Sequence, residues 1–248
     1  MIQLLTPMRA IASVLLKRLW RSRLPIALGV LVLALCYYDH VQLSGSGRGN
    51  WWAVLALVGP WSGFLASYDL FERLHAEGAL RPLLLRGVSR WQLALGAVLA
   101  SGAVVVAAVL MTGLYLALSG RAPIRGEALA ALAAALVGGI AAAAFWASGS
   151  LLLPRDAGAV AGILLLTFSA NTPSRWLPMD LPAFVQNAVR VFWSCIPGPG
   201  RIDQLMQAQH SFGDYALLVV IGVFAVLAAQ VLLGRRAWLR RPRSGGDA

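Results

Sequence analysis

Charge is scarce in this chain. Of 248 residues, only 12% are Asp, Glu, Lys or Arg, about half the share of a soluble domain. Ionisable groups are missing from Leu93 to Leu118, from Ala128 to Leu153 and from the last apolar run, Tyr215 to Leu233. Transporters driven by protons or sodium hold the coupling ion on acidic or basic groups at membrane depth, so that chemistry is disfavoured. Asp39 and Asp69 lie near the ends of their runs, as interfacial residues do.

Catalytic motifs are missing as well. His40, His75 and His210 are scattered, with no HExxH pair, and no CxxC site or Gly-x-Ser-x-Gly occurs. An intramembrane enzyme needs polar residues clustered at one depth, and the runs show none. The chain contains no Walker A sequence, so it cannot cradle ATP phosphates itself. No catalytic, metal or cofactor-binding residue is assigned. The two cysteines, Cys36 and Cys195, fall toward the same face. A disulfide between them stays open beside the simpler expectation of two small packing residues. The first 23 residues are basic but lack the compact apolar core and cleavage site of a signal peptide.

What the chain has is apolar length. It is 59% hydrophobic, with mean hydropathy +0.72, and continuous apolar runs of about 20 residues recur, each enough to cross a hydrocarbon core. The runs do not alternate as barrel strands do. The expected fold is all-α: a polytopic membrane protein with six transmembrane helices in one domain, 1–248. The expected spans are 24–43, 51–71, 93–118, 128–153, a short one from about 157, and 215–233. Gly59-Pro60 should disturb the second.

Residues 1–23 carry Leu4, Leu5, Met8, Ile11, Ala12, Leu15, Leu16 and Leu19 at helical spacing, opposite Arg9, Lys17, Arg18 and Arg21. Such a helix lies in the membrane interface; a cytoplasmic extension of the first span is the other reading. Residues 171–214 contain a short apolar helix, about 181–196, closed by Pro197-Gly198-Pro199-Gly200. It is too short to span and fits a re-entrant or interfacial position on the outer face. Residues 234–248 form a basic cytoplasmic tail.

Net charge is +11. The basic residues gather in the N-terminal segment, the 72–92 bridge and the tail, which sets both termini in the cytoplasm. Stacking aromatics are not interleaved with them, so nucleic acid is not an expected partner. Membrane lipid is.

The bridge is built as structure. Glu77-Gly78 breaks the preceding helix, Pro82 suits the first turn of a new one, and Gly87 suits its end. Ser89-Arg90-Trp91-Gln92 matches a capping box. A short helix with Leu80, Leu83 and Leu84 on one side, and Arg81 and Arg86 at its rim, can dock in a groove on a soluble protein. It can equally lie on the membrane surface.

Glu77-Gly78, Leu83-Leu84, Val88-Ser89-Arg90 and Leu95-Gly96 together resemble the signature of type-2 ABC exporter permeases. The chain departs from it at Gly87-Val88, where a Pro-hydrophobic pair is common, and at Ala97, where Lys is common. The resemblance implies a coupling helix over Glu77, Gly78, Leu80, Arg81, Leu83, Leu84 and Arg86, seated on a separate ATPase subunit. ATP and Mg then belong to that partner, and a second permease copy or paralogue completes the path in a bacterial inner membrane. Export of a small or amphiphilic substrate is implied, with Trp61, Phe64 and Tyr68 as possible path residues. The competing reading is a membrane anchor or assembly factor without transport.

Overall fold

The structure is a computed structural model; it describes residues 2–22, 24–43, 51–78, 83, 88–119, 126–170, 182–200, 202 and 212–236. Among these, nine α-helices are the long regular elements: α1 (Ile2–Arg21), α2 (Leu24–Leu43), α3 (Trp51–Ser67), α4 (Leu70–Ala76), α5 (Arg90–Leu118), α6 (Gly126–Gly149), α7 (Arg155–Ser169), α8 (Ala183–Ser194) and α9 (Phe212–Arg236).

Among the described residues, four stretches are long and apolar enough to cross a bilayer: Ala53–Ala76, Arg90–Leu118, Ala128–Gly149 and Tyr215–Gly234. Six are expected from the sequence. The difference lies in α2 and α7. Helix α2 has 20 residues, of which Leu24–Leu35 is the apolar stretch among the described side chains. Helix α7 has 15 residues, about 22 Å at 1.5 Å per residue, below a core of about 30 Å.

Helices α3, α5 and α6 form the centre, and small residues make it possible. A Cβ on Gly59 would meet the Ala135 carbonyl oxygen at 2.5 Å, and one on Gly139 would meet the Gly59 oxygen at 2.8 Å. Gly63 faces the Gly139 carbonyl in the same way. The α3 and α6 backbones therefore touch, which only residues this small allow. Gly113 faces Leu132 and Gly138 faces Ile202, so these glycines serve contacts within one chain. Helix α9 lies against α6 and α5. It is tied there by the buried Ser148 hydroxyl, which donates to the Ala225 carbonyl.

Helix α3 continues through Pro60 but stops at Ser67, two residues before α4. The expected second span runs unbroken through Phe71. The break falls at Asp69, whose backbone (φ −125°, ψ 11°) is not helical. Just before it, the Ser67 hydroxyl bonds back to the Gly63 carbonyl at 2.5 Å, a contact that bends helices. At the far end, Gly198 and Gly200 press on Ser169, and Ile202 is buried against Ala56 and Ala134. Irregular backbone after α8 is thus covered by protein. Cys195 is exposed, not packed, and the Cys36 side chain lies outside the described residues.

Candidate functional site

The bridge and its two supports form the most elaborated polar region among the described residues. Helix α4 is anchored at its start by Asp69, which is 3% exposed. Arg73 Nε donates to Asp69 Oδ2 at 2.6 Å from one turn on. Arg155 Nε, at the start of α7, approaches the same oxygen at 3.4 Å. Asp69 occupies the N-cap position yet makes no capping bond, because its carboxylate is committed to the arginines. Arg155 also bonds to Tyr68, and the bond and charge interaction with Tyr68, followed by the charge of Asp69, hold its guanidinium above the usual value. Beside them the Phe71 N–H donates to Ser150 Oγ at 3.4 Å. One turn of α4 is therefore fastened to the α6–α7 corner by charge and hydrogen bonds together.

The apolar side of α4 makes a second attachment. Leu70, Phe71 and Leu74 are buried in one cluster with Ile11, Leu15 and Leu19 of α1 and Leu93, Ala94 and Ala97 of α5. The face of α1 read as membrane-directed is turned against protein over these three positions. Gly96 permits the approach: a Cβ there would meet Ile11 Cγ2 at 2.7 Å. Arg9, Lys17, Arg18 and Arg21 remain exposed, as an amphipathic helix requires.

The end of α4 makes a third. Glu77 takes the C-cap position, with its N–H donating to the Arg73 carbonyl, and Gly78 follows at φ 65°. This left-handed turn strains residues with a Cβ, which accounts for the Gly in Glu77-Gly78. Arg18 Nη1 of α1 donates to Glu77 Oε2 at 2.6 Å. Of the expected coupling residues, Leu80, Arg81, Leu84 and Arg86 lie outside the described residues. Leu83 is half-buried and packs against the same cluster as α1 and α4.

The bridge closes as the sequence indicates. Ser89 Oγ accepts from the Gln92 N–H at 3.2 Å, and Gln92 Oε1 accepts from the Ser89 N–H at 2.9 Å, a complete capping box starting α5. Arg90 then lies against α9: a Cβ on Gly234 would meet its Nη1 at 2.5 Å. The basic N-terminal helix, the bridge, Arg155 and the end of α9 thus meet at one end of the bundle.

The three aromatic residues form a cluster along α3. Phe64 is its hub, 5.0 Å from Tyr68, 5.1 Å from Trp146 and 6.1 Å from Trp61 between ring centroids. It is enclosed by Ala142, Trp146 and Leu166, and Gly162 of α7 gives it room. Trp61 and Tyr68 are half-buried, and Tyr68 belongs to the Arg155 corner at the bridge end. Sequence reasoning missed the Asp69 centre. The Asp69/Arg73 spacing of four was a readable signal; the part played by Arg155 had none.

Among the described residues, four stretches long and apolar enough to cross a bilayer mark a helical membrane protein. In comparisons with known proteins, the chain matches no family model, no curated protein and no solved structure.

Proposed function

We propose that the chain is the transmembrane permease subunit of an ATP-binding-cassette exporter, energised by a separate ATPase subunit and paired with a second permease copy or paralogue. In this reading α2 and α7 complete six crossings with the four longer stretches, and the bridge end faces the cytoplasm of a bacterial inner membrane. The observation that carries it is the fastening of the bridge. A segment that only joined two spans would need no buried carboxylate, no cross-helix ion pair and no complete capping box. Here α4 is bound to α1 through Arg18–Glu77 and to α7 through Asp69–Arg155, so a displacement of α4 would be passed to several helices together. The Glu77-Gly78 to Gly96 signature supports the same assignment. The absence of ionisable groups from the long runs of α5 and α6 fits an energy source outside the membrane.

The test is co-purification with the ATPase encoded beside the gene. The variant is Leu84→Asp combined with Arg86→Glu. Loss of the complex and of substrate-stimulated ATP hydrolysis is expected. A variant that retains both at wild-type levels overturns the coupling role, and a co-purifying partner without nucleotide-binding motifs favours the anchor or assembly reading.

A further inference from the structure

A groove of about 420 Å³ opens between α1 and α5, lined by Leu16, Lys17, Trp20, Arg21, Ala103, Val104 and Ala107. Its floor has a local cause. The outward face of α5 carries large exposed side chains at Leu99, Leu110, Met111 and Leu114. Ala103 and Ala107 interrupt that row one turn apart, leaving a notch. Leu16 and Trp20 of α1 form the opposite wall, and Trp20 is 66% exposed.

The rim is cationic. Lys17 and Arg21 sit four residues apart on one face of α1, a spacing at which like charges repel. Their neighbour Arg18 is neutralised by Glu77. Among the described residues, no carboxylate pairs with Lys17 or Arg21. The groove thus joins an apolar trough to two cations that no described carboxylate neutralises, beside an indole of the kind that settles at the headgroup level.

We infer that this groove binds an anionic glycerophospholipid, one acyl chain lying over Ala103, Val104 and Ala107 and its phosphate between Lys17 and Arg21. Charge complementarity selects this occupant. A zwitterionic lipid fills the same trough but brings its own cation to the rim. Two basic side chains at a membrane surface set a preference for anionic lipid of about thirtyfold. The bound lipid would seal α1 against α5 beside the bridge. The inference stands on the groove alone and does not depend on the transport reading.

The full-length protein in neutral detergent is titrated with palmitoyl-oleoyl phosphatidylglycerol or the matching phosphatidylcholine, and bound lipid is counted by native mass spectrometry. Phosphatidylglycerol is expected to bind about thirtyfold tighter. Lys17→Gln with Arg21→Gln should bring the two lipids to parity, and Ala107→Phe should weaken both by filling the trough. Arg9→Gln, on the same helix but off the groove, should change nothing. Glycerol phosphate, which lacks the tail, should not compete. Equal binding of the two lipids by the unaltered protein overturns the inference. So does a loss with Arg9→Gln as large as with the double variant, or full competition by glycerol phosphate.

Discussion

Arg18 of α1 and Glu77 at the end of α4 are 59 positions apart in the chain and 2.6 Å apart across their ion pair. The contact joins the amphipathic N-terminal helix to the Glu-Gly turn of the bridge. Both side chains are about half exposed, at 46% and 55%, so its contribution to stability is small, about 0.2–1 kcal/mol. Its importance is geometric: it fixes where the bridge leaves α4.

A double-mutant cycle on Arg18→Gln and Glu77→Gln should therefore give a coupling of no more than about 1 kcal/mol in thermal or denaturant unfolding, shrinking in high salt. The swap Arg18→Glu with Glu77→Arg should recover most of it. A coupling of several kcal/mol would show that the pair is far less solvated than its exposure indicates.

Asp69 should behave differently. Its carboxylate is buried, while Arg73 and Arg155 are 35% and 58% exposed. Removing both arginines strands a buried charge, at a cost of about 3 kcal/mol after allowance for solvent screening. Removing Asp69 as well, by Asp69→Asn, should return much of that. Unfolding of the triple variant at lower denaturant than the double variant would contradict this account.

The glycines of the central group can be separated from the others. A Cβ on Gly63 would strike the Gly139 carbonyl and the Ala143 backbone nitrogen, so Gly63→Ala should destabilise by about 1–3 kcal/mol through overpacking. A Cβ on Gly29 of α2 would meet nothing within 4 Å, and Gly29→Ala should stabilise by about 0.5–1 kcal/mol through helix propensity. Thermal shift assays in one detergent compare the two directly.

Ser89→Ala removes the acceptor for the Gln92 N–H and should cost about 1 kcal/mol. Hydrogen exchange localises the effect: the first turn of α5 should lose protection while its middle, near Val105, keeps it. Uniform loss along α5 would argue against a local cap.

Local signals were legible wherever one segment satisfies itself. The amphipathic face of α1, the turn at Gly78, the capping box at Ser89 and the long apolar runs each depend on residues within a few turns. Backbone sterics, helix periodicity and transfer energy act at that range.

Tertiary structure decided what the segments do to one another. It put the Asp69 carboxylate between Arg73 and Arg155, at the break between α3 and α4. It turned Ile11, Leu15 and Leu19 toward protein, faced Gly59 and Gly63 with Ala135 and Gly139, and enclosed Phe64. Apolar periodicity states that a face must be covered, not whether lipid or another helix covers it. That choice depends on which small residues let two backbones approach, and the partners lie too far apart in sequence for any local rule to pair them.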